Sequence, residues 1–222
     1  MCIRDSIQAN PYKTTSFEAF DAESVGLAIN IQTGPGEFDV VSATQYIRDQ
    51  TVLALQAAFD AAGLNVIVSA NPGDFEGQDY SSVFVTSSDE PPALFGNGQF
   101  GVTQRVDIFN ANANDQAVVF ANALTVLGDT PDRDGVDSFV THLSTAVGRR
   151  IGELVGLRAN TAENNGAAPD IMASNSVATG LAGGFQNFAR PLSGQGDSRT
   201  DTDFFLGVQN TASLLQRIFF NP

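Results

Sequence analysis

Three charged residues near the end of a long helical pattern are the side chains best placed to do chemistry. Arg149, Arg150 and Glu153 lie in the stretch GRRIGEL, and a spacing of four puts Arg149 and Glu153 on one face of a helix. An arginine keeps its proton in a protein and cannot bind a metal ion, so only Glu153 qualifies as a metal ligand. The two guanidinium groups favour an anion instead. The pattern predicts an Arg149–Glu153 salt bridge, which is worth about 0.3–0.5 kcal/mol on an exposed helix face.

His142 is the only histidine of the chain, and it limits two further kinds of chemistry. It lies seven residues before Arg149, on about the same helical face but roughly 10 Å along the axis, so we interpret it as a structural residue and not as a metal ligand. A Ser-His-Asp triad would need it as the base, and the sequence has no G-x-S-x-G motif. A pair of carboxylates that cleaves a glycoside stays open because acids are plentiful, but no local pattern supports it.

One patch of oxygen-rich side chains could hold calcium. The candidate ligands are Asp107, Asn110 and Asp115. A second acidic stretch, GDTPDRDGVD, does not fit the register of a calcium-binding EF-hand loop. We interpret Asp134 or Asp137 in that stretch as the N-cap of the helix that follows.

The chain has 222 residues and a formal net charge of −14 at pH 7. Such a surface repels the phosphates of nucleic acids and anionic membranes, so neither is a predicted partner. No run of apolar residues approaches the roughly 18 that a membrane-spanning helix needs. Acidity also keeps a protein soluble, so by itself it does not indicate a function. The length is enough for one domain that folds on its own hydrophobic core.

The first residues do not resemble natural sequence. MCIRDS is the translation of a common transposon sequencing adaptor, so we interpret residues 1–6, which include the only cysteine, Cys2, as an assembly artefact. Residues 7–22 are predicted to be an irregular lead-in to one domain over residues 23–222. We therefore expect natural sequence upstream, where a signal peptide would not be visible.

Turn signals and hydrophobic periodicity divide the rest of the chain into strands and helices. Strands are predicted at residues 25–32, 64–72, 80–88 and 102–110, and residues 116–124 are a short strand or the start of a helix. Helices are predicted at residues 43–63 with Ser42 as N-cap, at 136–157 and at 201–220.

These elements resemble the metzincin clan of zinc peptidases, in particular its matrixin-like bacterial domains. The family motif is H-E-x-x-H-x-x-G-x-x-H, followed by a methionine turn. With Gly156 at the glycine of the motif, the positions of the three zinc ligands and the general base are occupied by Arg149, Arg150, Glu153 and Ala159. The sequence therefore keeps the glycine and the spacing of the motif but lacks its zinc ligands and its general base.

Two further stretches carry the resemblance. PDIM, residues 169–172, is similar to the methionine turn and contains Met172. FGVTQRVDIFN is similar to the strand near the edge of the sheet that pairs with peptide in the family, so Val102 and Val106, together with Gly156, are expected at a cleft. The resemblance covers roughly residues 24–220.

The resemblance implies an α+β fold with two lobes. The upper lobe, at about residues 23–157, would hold a twisted mixed sheet of about five strands and two long helices. The lower lobe, at about residues 158–222, would be irregular, with the methionine turn and a C-terminal helix. The altered motif implies no catalytic residues and no bound zinc, because a catalytic zinc needs three protein ligands and an open position for water.

Three functions stay open at this point. The first is a non-catalytic metzincin-like domain, a pseudopeptidase of a secreted or surface bacterial protein, which binds an extended peptide or a protein through the old cleft. The second is an active metal-dependent peptidase with non-standard ligands. The third is an unrelated structural α/β domain in which the glycine and methionine spacing is a coincidence.

Overall fold

The structure is a computed structural model that describes residues 2–4, 18–33, 40–61, 65–88, 100–103, 114–125 and 132–155. Its strands are β1 (Cys2–Arg4), β2 (Asn30–Gln32), β3 (Val40–Ser42), β4 (Ser82–Thr86), β5 (Gly101–Thr103) and β6 (Gln116–Phe120). Its α-helices are α1 (Ala43–Ala61), α2 (Ala121–Leu124) and α3 (Arg133–Leu154). Two short 3-10 helices lie at Glu23–Val25 and Pro72–Phe75.

The described part of the chain is a mixed α/β fold with two sheets. The larger sheet has four strands in the order β1-β4-β6-β5, in which β4 is parallel to both β1 and β6, and β5 is antiparallel to β6. β2 and β3 form a separate antiparallel pair. Nearly every residue of β4 and β6 is buried, which is typical of parallel strands that are covered on both faces.

The main hydrophobic core lies between the two long helices and one face of the larger sheet. Alternate strand residues point into it, as the two-residue period of a strand requires: Val83 and Val85 from β4, and Ala117 and Val119 from β6. Phe59 of α1 and Phe139, Val147 and Ile151 of α3 are among the helix residues that pack there. The opposite face of the sheet holds a smaller cluster of Phe84, Val118 and Phe120, with Val102 against it.

Both long helices that the periodicity predicts are present. The predicted N-cap of α3 is wrong, because the cap is Asp132, whose side chain accepts a hydrogen bond from the Gly135 backbone N–H at 2.9 Å. Asp137 instead contacts α1, where it accepts a hydrogen bond from the Tyr46 hydroxyl. Asp134 lies in the first turn of α3.

Over the predicted strand at residues 64–72, the described residues form no continuous strand, and only Ser69 takes part in a β-bridge. Gln56 of α1 binds two backbone groups of this segment: its side-chain amide donates to the Val66 carbonyl at 2.8 Å and accepts from the Val68 N–H at 3.0 Å. Asn71 then caps the 3-10 helix that begins at Pro72. One side-chain amide thus satisfies two of the backbone polar groups of this segment.

The other predicted strands are present in shorter form. Residues 25–32 contain β2 only at their end, residues 80–88 contain β4, and residues 102–110 overlap β5. Residues 116–124 contain both alternatives in succession, the strand β6 and then the helix α2.

The N-terminal residues take part in the fold. Cys2–Arg4 pairs with β4 through the backbone, which any sequence can do, so this pairing does not bear on the origin of residues 1–6. Within the predicted lead-in, Phe20 is buried and stacks on Phe139 with ring centroids 6.0 Å apart.

The predicted lower lobe lies outside the described residues, and so does the C-terminal helix at residues 201–220. The same holds for Val106, Gly156, Ala159 and Met172. Within the described residues, no helix combines the length and the apolar character that crossing a membrane requires.

Candidate functional site

The last two turns of α3 bring the three charged residues of the motif frame into a buried cluster. The side chains of Arg149, Arg150 and Glu153 are 14%, 11% and 10% exposed, respectively. They are held there because the neighbouring Ile151 and Leu154 are anchored in the main core. The predicted Arg149–Glu153 pair is present, but the expectation that it is exposed is wrong.

Glu153 is the centre of this cluster. Its Oε2 atom accepts a hydrogen bond from Arg150 Nη1 at 2.7 Å, while Arg149 Nε lies 3.7 Å from its Oε1 atom. The shorter contact is therefore the one between residues three apart, and not the predicted one between residues four apart. Both spacings bring side chains together on a helix surface.

Thr103 of β5 completes the cluster from the sheet. Its hydroxyl donates a hydrogen bond to the same Oε2 atom that Arg150 binds. The contact joins an edge strand to the helix across 50 residues of sequence. Because Thr103 points towards α3, Val102 must point to the opposite face of the sheet, where it packs against the smaller cluster.

Opposing charges act on the cluster at this end of α3. The carbonyl groups of a helix C-terminus carry partial negative charge, which favours the two arginines and opposes Glu153. Burial lowers the pKa of Arg149, the neighbouring Arg150 lowers it further, and Glu153 acts in the opposite direction. Arg149, Arg150 and Glu153 together carry one net positive charge, which the partial negative charge of the helix end reduces without cancelling it. A further anion is therefore attracted to the cluster more than a further cation.

The backbone of β5 offers hydrogen bonds at the outer edge of the sheet. The Phe120 N–H donates to the Phe100 carbonyl at 3.0 Å, and the pairs that share hydrogen bonds alternate along an antiparallel ladder. Val102 therefore pairs with Val118, while Gly101 and Thr103 direct their N–H and C=O groups away from β6. Among the described strands, only β6 pairs with β5.

Close packing between β5 and β6 requires a glycine at one position. A Cβ atom at Gly101 would lie 2.5 Å from the carbonyl oxygen of Val118, well inside contact distance. Gly101 thus allows β5 to lie against β6 at the point where the edge strand begins.

The structure does not bring His142 into the cluster as a ligand. It is buried on α3, and its Nε2 atom lies 3.5 Å from the hydroxyl of Ser138, one turn earlier. Within the ranges that the structure describes, no group of three or more His, Cys, Asp or Glu residues is arranged to hold a metal ion. Zinc and calcium binding both stay predictions.

Of the calcium candidates, only Asp115 is among the described residues. It is fully buried just before β6, and its carbonyl accepts a hydrogen bond from the Ser82 N–H at 2.9 Å. The neighbouring Asn114 donates to Asp79 at 3.0 Å. Asp107 and Asn110 lie outside the described residues.

A second polar cluster ties the start of α3 to α1 and β2. Arg133 donates to Asp137 at 2.8 Å, to the Tyr46 hydroxyl at 2.6 Å and to the Gln32 carbonyl at 3.0 Å. The Tyr46 hydroxyl in turn donates to Asp137 at 2.8 Å. Burial, and then the hydrogen bond to Asp137, raise the pKa of Tyr46. No sequence pattern pointed to this cluster, whose members lie up to about a hundred residues apart.

No family model, no curated protein and no solved structure matches the chain. Its function therefore has to be argued from the geometry of its own residues.

Proposed function

We propose that this chain is a non-catalytic domain with a metzincin-like upper lobe, which binds an extended peptide along the outer edge of β5. The order of elements supports the proposal: a mixed sheet with β5 at its edge is followed by α3, the second of two long helices. α3 ends with the residues that the resemblance places at the zinc and base positions. Peptide binding by addition of a strand needs a sheet edge whose backbone groups face outwards.

The chemistry of the site supports binding without catalysis. Arg149 and Arg150 occupy positions that would need a metal ligand and a general base, and arginine can be neither at any pH that a protein tolerates. Glu153 is held by Arg150 and Thr103. This network links α3 to the sheet through side chains alone.

The single observation that carries the proposal is the direction of the β5 backbone. Gly101 and Thr103 turn their N–H and C=O groups to the outer edge, in the register fixed by the Phe120–Phe100 hydrogen bond. An added strand would meet these groups directly. The extracellular or surface location of the protein stays a prediction.

Two variants of one residue test the proposal. Random linear peptides of about ten residues, the upper length of a typical strand, are selected by phage display on the immobilised chain. Thr103→Pro removes the outward N–H, and proline is tolerated at such an edge position. Thr103→Val is the matched control, because it removes the hydroxyl and keeps the N–H.

We expect Thr103→Pro to weaken the selected peptide about tenfold, the equivalent of one lost main-chain hydrogen bond with an unsatisfied partner group. Thr103→Val should stay within about threefold of the parent chain. Failure to select any peptide, or equal binding by the two folded variants, would contradict the proposal. Thermal unfolding of each variant checks that it is folded.

A further inference from the structure

We propose that the bound peptide carries an aspartate or glutamate at the position opposite Thr103, and that Arg150 binds its carboxylate. This inference rests on the proposed function, because it needs a peptide at the edge of β5. It adds the chemical class of the peptide side chain that is recognised, and the position of that side chain in the peptide.

The peptide residue that is recognised must point to the same face of the sheet as Thr103. Residues directly opposite each other on paired strands point to the same face, with Cβ atoms about 4.5–5.5 Å apart. Thr103 points to α3, as its hydrogen bond to Glu153 shows. The peptide side chain opposite Thr103 must therefore also point to α3. Its two neighbours along the peptide point to the other face.

Arg150 lies within reach of that side chain. The Thr103 hydroxyl and Arg150 Nη1 contact the same Oε2 atom of Glu153, so the two groups are at most two hydrogen-bond lengths apart, roughly 6 Å. Among the described residues, Arg150 donates only to Glu153, and it does so through Nη1. The guanidinium edge formed by Nε and Nη2 has the spacing that binds a carboxylate through two parallel hydrogen bonds.

Charge decides between an acidic side chain and its neutral or basic counterparts. Arg149 and Arg150 bring two positive charges, and Glu153 brings one negative charge. A lysine opposite Thr103 would meet two guanidinium groups in a poorly solvated space, whereas a carboxylate would be attracted. The net charge of −14 acts mainly over longer distances, and salt screens it beyond about 8 Å at physiological ionic strength.

A substitution series in the peptide tests this inference. Each position of a selected peptide is replaced in turn by Glu, Gln and Lys, and the dissociation constants are measured with the unchanged chain. We expect Glu to bind about tenfold more tightly than Gln at one position only, and Lys to bind more weakly still. N-methylation of alternate peptide amides identifies the register, and that position should face Thr103.

Variants of the chain assign the preference to Arg150. Arg150→Met should abolish the difference between Glu and Gln, and Arg150→Lys should reduce it to about threefold, because lysine keeps the charge and loses the paired donors. Arg48→Lys on α1 is the control, which should leave the preference unchanged. Should Arg150→Met fail to fold, Arg150→Lys and the peptide series decide the question.

The outcomes separate the inference from the proposed function. A selected peptide that depends on the Thr103 N–H but shows no preference for Glu would overturn the acidic specificity and leave strand addition in place. A preference that Arg150→Lys leaves at its full size would also overturn it. If no peptide is selected, both the proposed function and this inference fail.

Discussion

At the scale of single residues, Glu153 and its partners define the site. Removing charges from water is expensive, so a buried ion pair gives stability only when its hydrogen bonds are well made. Glu153 meets this condition through Arg150 and Thr103, and it also limits the repulsion between the two adjacent arginines. The network therefore holds the end of α3 against β5 as well as shaping the edge.

Replacing Glu153 with glutamine should destabilise the protein. Glu153→Gln leaves Arg149 and Arg150 side by side without their carboxylate, and breaking a buried pair in this way typically costs about 3–5 kcal/mol. Urea unfolding followed by circular dichroism measures the change. Asp134→Asn, which removes an exposed acid at the other end of α3, is the control and should change the free energy of unfolding by about 1 kcal/mol or less. A Glu153→Gln chain as stable as the parent would show that the arginines are solvated.

Tyr46 makes the stability of the protein dependent on pH in the alkaline range. Its pKa in the folded chain is raised above its ordinary value of 10.0, because burial and the hydrogen bond donated to Asp137 favour the neutral hydroxyl. The folded state thus holds this proton more tightly than the unfolded state. The stabilisation is complete below pH 10 and is lost as the pH rises through the folded pKa.

Tyr46→Phe should remove this contribution. We expect the free energy of unfolding of the parent chain to fall more steeply than that of Tyr46→Phe above pH 10, with parallel curves between pH 7 and 9. Urea titrations across this range measure both. Parallel curves at all pH values would mean that the Tyr46 hydroxyl does not make the free energy of unfolding depend on pH.

At the scale of elements, only one of the three aspartates near the start of α3 is its N-cap. Asp132, Asp134 and Asp137 all lie near the predicted start, and a sequence pattern fixes a helix end only to within a residue or two. In the structure Asp132 caps the Gly135 N–H, whereas Asp137 is held by Arg133 and Tyr46.

Asp132→Ala should lower the free energy of unfolding by about 1 kcal/mol, the typical value for a lost N-cap. Asp134→Ala should lower it by roughly 0.3–1 kcal/mol, through the helix dipole alone. Thermal or urea unfolding of the two variants side by side checks the order. If Asp134→Ala is the more damaging change, the helix begins later than the structure places it.

At the scale of the whole molecule, the predicted absence of zinc requires a fold that is stable without a metal. A structural zinc can contribute on the order of 10 kcal/mol to folding, and here the two long helices and the sheet share one continuous core that can take its place. We predict that the purified chain carries no stoichiometric zinc and that a zinc-selective chelator leaves its Tm unchanged.

Elemental analysis by mass spectrometry tests this prediction. One zinc per chain would revive the alternative of an active peptidase with non-standard ligands. The same measurement for calcium tests the candidate ligands Asp107, Asn110 and Asp115.

The sequence by itself determined the elements whose pattern is local. The two long helices follow from apolar residues at steps of three and four, and β4 follows from a stretch rich in β-branched and aromatic residues. For residues 116–124 the pattern left a strand and a helix both open. The Arg149–Glu153 pair also follows, because a spacing of four fixes it. The segment predicted as a strand at residues 64–72 forms a single β-bridge residue among those described, and its backbone is bound in part by the side chain of Gln56 on another element, a contact that no local pattern states.

Only the tertiary structure decided which residues form the site. Thr103 lies 50 residues from Glu153, and nothing in either local pattern states that they meet. Burial likewise turned a pair expected on an exposed face into a nearly enclosed cluster, since exposure depends on what packs against the helix. Contacts between distant segments depend on how the whole chain packs, so only the fold could give the order of the described strands, with β5 at the edge of the sheet that they form.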